Sequence, residues 1–166
     1  MRATCVLIAA IGAVVATISE AQTRRPEHER LSGMVGSWQT ELEVAATPSL
    51  PAAKVTGTEE CAWFADLHVI CRNDAKTQTG PYSAIRIVSY QSASKQYSVY
   101  TVDSTGLSLL AYGEVSGDTW TFTAEGQGAK SRLILTMGPT SYTGVSEFSR
   151  DGSWTPVSTI KGTRVR

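Results

Sequence analysis

Histidine is nearly absent from this chain: His28 and His68 are the only two in 166 residues. Neither stands beside a nucleophile. Gly-x-Ser-x-Gly, a phosphate-cradling glycine loop and a metal-binding motif are all missing. No catalytic residue, metal site or cofactor is therefore assigned, and the sequence favours a non-enzymatic role without deciding it. An excess of one charge is missing too. Lys and Arg number 15 against 15 Asp and Glu. No strong field draws the chain to nucleic acid or to an anionic membrane surface. Sustained helical periodicity is the third absence. Only Glu27 to Met34 has the pattern of a short helix, with Pro26 suited to its first turn and Leu31 three residues from Met34.

Cysteine is sparse, and its placement is informative. Of the three, Cys5 falls in an apolar run from Ala3 to Ile18 that follows Arg2 and precedes Ser19-Glu20-Ala21. A positive start, an apolar stretch and small residues before a cut form a signal peptide, residues 1–21, with cleavage before Gln22. The run is shorter than the ~20 residues of a spanning helix, so no membrane span is expected after cleavage. The protein is then periplasmic or secreted. Cys61 and Cys71 remain, an even pair in an oxidising compartment, which predicts one disulfide. They are equidistant from Asp66, which places them opposite each other across a hairpin. A redox pair or a zinc site is the other reading of two cysteines. It lacks ligands, because His68 points away from Cys71.

What is present in quantity is short alternating segments separated by Gly, Pro, Asp and Ser. Residues 22–35 form an N-terminal segment with the short helix, and residues 36–166 form one all-β domain. Trp38, Thr40, Leu42 and Val44 alternate with polar neighbours as a half-buried strand. Asn73 to Gly80 has the composition of a polar loop. About ten strands follow one another through tight turns, the pattern of a single antiparallel meander barrel. Turn registers pair Val115 with Trp120, Gly113 with Phe122, Tyr100 with Ile87 and Val102 with Ile85. They also pair Leu107 with Val102 and Leu109 with Tyr100. One inner face follows: Ile85, Ile87, Tyr100, Val102, Leu107 and Leu109, continued by Ala111, Val115, Trp120, Phe122, Leu133, Leu135 and Met137. Tyr90 and Tyr97 then face each other on the outside, and Arg86 and Asp103 form an external ion pair.

The helix leading into Gly36-Ser37-Trp38 resembles the entry of lipocalin-like, or calycin-type, barrels. That resemblance implies that a basic residue near the end of the last strand lies over the first-strand Trp, and Arg164 is the matching position. More narrowly, the chain resembles an uncharacterised family of secreted bacterial proteins of this fold, a domain of unknown function. The likeness is carried by Gly36-x-Trp38, Trp63-Phe64, Ser89-Tyr90, Asp103-Ser104-x-Gly106, and Asp151-Gly152-x-Trp154 ahead of Lys161 and Arg164. It implies the fold and no activity.

A barrel of about ten strands is wide enough to hold a ligand. The expected role is non-covalent binding of a small hydrophobic or amphipathic molecule. Candidate contacts are Glu59 and Trp63, which share alternation with Cys61 and line the lumen if that face is inward, and the hydroxyls of Ser89, Ser98, Tyr100, Tyr142 and Ser146. With the opposite register Glu59 is a solvated strand residue. Two alternatives stand beside it. One is an acid/base site at the barrel mouth built from Glu59, Asp66 and His68. The other is an envelope scaffold acting through outward aromatics. His68 otherwise reads as a solvated turn residue. Ligand identity and oligomeric state are not legible in the sequence.

Overall fold

The computed structural model describes residues 24–47, 51–126 and 128–165. The expected signal segment, residues 1–21, lies outside the described residues. The chain opens with a short helix α1 (Pro26–Glu29) that runs into a 3-10 turn, Arg30–Met34. Ten strands follow: β1 (Gly36–Val44), β2 (Ala53–Phe64), β3 (His68–Thr77), β4 (Gly80–Gln91) and β5 (Gln96–Asp103) form the first half. The second half is β6 (Ser108–Ser116), β7 (Thr119–Gly126), β8 (Ala129–Met137), β9 (Ser141–Ser149) and β10 (Thr155–Arg164). Each strand pairs with its sequence neighbours, and β10 pairs with β1, so the sheet closes and leaves no edge. This is the meander expected from the turn spacing.

The leading helix plugs one end of the barrel. Leu31 and Met34 are buried beneath it. The Trp38 indole N–H donates to the Met34 carbonyl at 3.0 Å, and the Tyr97 hydroxyl donates to the Glu27 carbonyl at 2.9 Å. Tyr97 stacks edge-on against Trp120 at 4.8 Å. The Arg164 guanidinium lies 4.1 Å over the Trp38 ring and donates to the carbonyls of Val35, Gly33 and Pro139. One side chain thus ties the last strand to the first strand, the plug and the β8–β9 turn.

The meander agrees with the expected registers at β4–β5 and β6–β7, where Ile87 faces Tyr100 and Val115 faces Trp120. It departs at β5–β6. Tyr100 faces Leu110, and Thr101 faces Leu109. Strand β6 begins at Ser108, because Asp103 accepts from Thr105 and from the Leu107 amide and so extends the loop. A slip of one residue reverses every side chain. Ile85, Ile87, Tyr100 and Val102 therefore stand outside the barrel, and Leu107 lies in the exposed loop. The inner row is Ala84, Arg86, Val88, Val99 and Thr101. Leu109, Ala111, Val115, Trp120, Phe122, Leu133, Leu135 and Met137 do face inward.

Three further expectations are corrected, the first two by the same reversal. Tyr90 and Tyr97 face each other as expected, at 5.1 Å between rings, but toward the plug and not solvent. Arg86 and Asp103 are not an external pair. Arg86 points into the barrel, and Asp103 binds its own loop and the Tyr82 hydroxyl, at 3.2 Å. Asn73 to Gly80 is not a loop either: β3 runs to Thr77, which pairs with Gly80. Polar alternation is tolerated there because these residues lie at the rim, away from the plug.

Candidate functional site

Between the plug and the open mouth the barrel holds a cavity of about 280 Å³. That is near the lower limit for small-molecule sites. Its wall is mainly apolar, with Val88, Val99, Phe122, Leu133 and Leu135 contributing. Small side chains make the room: Ala111 and Ala124 occupy wall positions where larger residues would fill the lumen. Near the mouth stand Thr101, Ser131, Ser146 and Phe148. Arg132 sits at this rim, paired with Glu147 at 2.5 Å and stacked 4.2 Å from the Trp154 ring.

One polar cluster interrupts the apolar wall. Glu59 on β2 is 4% exposed, and its Oε1 is ion-paired with Nη2 of Arg86 on β4. Its Oε2 accepts from the Tyr142 hydroxyl on β9, at 2.8 Å. The three strands bring the groups together across the lumen, which only a closed barrel can do. Tyr142 reaches Glu59 because it passes over Gly162 on β10. A Cβ at Gly162 would collide with the Tyr142 ring. Trp38 braces the same ring edge-on at 5.1 Å. Burial pushes the Tyr142 hydroxyl above the ordinary phenol range, and the Arg86 charge opposes that rise. Burial also pulls the Arg86 guanidinium down from its ordinary value, from a start so high that it stays charged. Truncating either member of a buried ion pair strands the other, at a cost of about 3–5 kcal/mol.

Cys61 and Cys71 are directly opposite, with Cα atoms 4.0 Å apart, and are joined as the expected disulfide. Their sulfurs lie beside Glu59 in a grouping that could pass for a metal site. Sulfur spent in a disulfide offers no thiolate, so the grouping does not bind zinc in this state.

The expected contact residues divide. Glu59, Tyr142 and Ser146 line the cavity. Trp63 faces inward but belongs to the plugged end, with the Arg24 guanidinium 4.1 Å over its ring. Ser89, Ser98 and Tyr100 lie on the other face. Ser89 accepts or donates at 2.7 Å to His68 Nδ1, Ser98 accepts from Gln91 at 3.2 Å, and Tyr100 is 41% exposed. They fall outside for the reason given above, the reversed face of β4 and β5. His68 is likewise no solvated turn residue. It is a half-buried outer strand residue held by Ser89 and lying beside Phe64. Glu59, His68 and Asp66 are not brought together: one is inside, one is outside, and Asp66 pairs with Arg24 at the hairpin tip. Arg86 is the member of the cluster that sequence reasoning placed outside. The available signal was its shared register with Ala84 and Val88, masked by apolar Ile85 and Ile87 on either side.

The fold is a plugged, closed antiparallel meander barrel around an apolar cavity. The chain belongs to the family described as "Protein of unknown function (DUF1579)", whose model matches residues 23–164. No curated protein matches the chain. Among solved structures it is similar to the crystal structure of Rv2717c from M. tuberculosis, with 11% identity and a TM-score of 0.66. That match covers 87% of this chain and 100% of the other. A de novo designed fluorescence-activating beta barrel gives 14% identity and a TM-score of 0.46, over 78% of this chain and 92% of its own. The redesigned barrel mFAP0, solved bound to DFHBI, gives 13% and 0.48, over 80% and 99%. Identities this low speak to the fold alone.

Proposed function

We propose that this protein holds a small, mostly apolar molecule non-covalently inside its barrel. The observation that supports this is the cavity itself. Roughly 280 Å³ is left open beside a buried ionic cluster, although the sequence could have filled it by enlarging Ala111 or Ala124. The signal-like N-terminus and the disulfide support a periplasmic or secreted setting. Native mass spectrometry of protein recovered from its own envelope tests the reading. The expected result is a bound small molecule in the wild type that is absent from Ala111→Trp. Bare protein in both, with no added apolar compound raising the melting temperature, would sink it.

A second reading, a scaffold acting through its outer surface, is supported by different residues from those expected. Ile70, Ile87, Tyr100 and Leu110 form one row across β3 to β6 on the outside. Ile85, Tyr112 and Leu110 each leave 44–47% of their area exposed. Contiguous exposed apolar side chains are a feature of interaction surfaces. Capture of partners that survives Tyr100→Ser with Leu110→Ser would count against it.

A further inference from the structure

Two arginines line the cavity among the described residues, Arg132 at the rim and Arg86 deeper on the wall, where its partner engages only part of it. Glu59 meets Nη2, and the Tyr142 hydroxyl is near enough to interact electrostatically with the guanidinium. A guanidinium carries five N–H donors in a fixed fork. Among the described residues no buried side-chain nitrogen or oxygen lacks a partner. The Arg86 side chain keeps 23% of its area exposed while lining the cavity. Its remaining donors are therefore reached from the lumen, whose wall includes Val99, Phe122 and Leu135.

Two consequences follow for anything that enters. A donor aimed into an apolar space favours a guest with an acceptor at one end. The charge on that guest is constrained as well. Arg86 is already neutralised by Glu59, and Tyr142 already donates to the second Glu59 oxygen. A carboxylate guest would put two anions on one guanidinium in an apolar cavity and leave a net negative charge there. An uncharged oxygen acceptor takes the free donors and leaves the balance at zero.

We infer that the cavity selects uncharged amphipathic molecules, an aldehyde, ketone or alcohol head on a short apolar tail, and rejects the corresponding carboxylates. The head sits on the free N–H groups of Arg86, and the tail runs along Phe122, Leu133 and Leu135 toward Phe148 at the mouth. The volume, about nine water molecules' worth at ~30 Å³ each, suits a tail of modest length. Glu59 is a positioning residue that sets the preference through Arg86. This inference rests on the cavity-binding reading above and adds the charge and the head group to it.

The test is calorimetric titration of the wild type with 2-octanone, octanoate and octane at neutral pH, repeated on Glu59→Gln. In the wild type 2-octanone binds at least tenfold tighter than octanoate and tighter than octane. In Glu59→Gln the order of ketone and carboxylate reverses, because the carboxylate now supplies the missing counter-charge. Should Glu59→Gln not fold, the double variant Glu59→Gln with Arg86→Met removes both charges and the donors together. 2-Octanone then loses its advantage over octane, and retention of that advantage would overturn the inference. Octanoate binding as tightly as the ketone in the wild type would overturn this inference alone. So would an unchanged order in folded Glu59→Gln. Binding of none of the three would overturn the cavity reading and this inference with it.

Discussion

At the residue scale the molecule turns on two arginines with opposite settings. Arg164 is half-buried at the plugged end, where its planar fork serves three carbonyls while its face covers Trp38. Lysine offers a point charge with no fork and no flat face. Arg164→Ala should lower stability by about 2–3 kcal/mol, from lost charge-assisted hydrogen bonds and the cation–π contact. Arg164→Lys should recover less than half of that in urea denaturation. This contact was legible in the sequence as a resemblance, because the Trp and the terminal Arg lie at recognisable positions. Arg86 was not legible. A lone arginine between two isoleucines reads as solvated, and only the strand that carries Glu59 makes it an interior residue.

At the element scale the determining feature is the loop between β5 and β6. Asp103 accepts from Thr105 and Leu107 and holds the first residue after the turn out of the ladder. Strand number, order and most hairpins could be read from turn spacing. The face of β4 and β5 could not, because both faces carry apolar residues: Ala84, Val88 and Val99 inside, Ile85, Ile87 and Tyr100 outside. Alternation then has no contrast to report. The β2–β3 hairpin is the opposite case. Symmetry about its tip correctly paired Cys61 with Cys71. That bond closes a loop of ten residues in sequence separation. Its reduction should cost about 2 kcal/mol, seen as a lower denaturant midpoint in the presence of dithiothreitol. An unchanged midpoint would mean the hairpin is held entirely by its ladder.

At the scale of the whole molecule, a closed sheet carries several phenols in low-polarity settings. Burial raises Tyr97 and Tyr142, and burial followed by the Asp103 charge raises Tyr82 from the ordinary 10.0 to about 12. In the unfolded chain these groups lose their protons near pH 10, while the folded barrel retains them. Stability is therefore full below the unfolded value and falls as pH rises from about 10 toward 12. Thermal melts between pH 8 and 12 should show a flat region and then a steep decline, moderated by Tyr82→Phe. The closed sheet also separates two apolar surfaces. The cavity wall within is Val88, Val99, Leu133 and Leu135, and the row without is Ile70, Ile85, Ile87 and Leu110. The measurement that separates them is a methyl-resolved NMR titration with a small uncharged amphipathic compound such as 2-octanone. Container function predicts saturable shifts at Val88, Val99, Leu133 and Leu135, with Ile85, Ile87 and Leu110 unmoved. Shifts confined to the outer isoleucines and Leu110, with the cavity methyls silent, would contradict it.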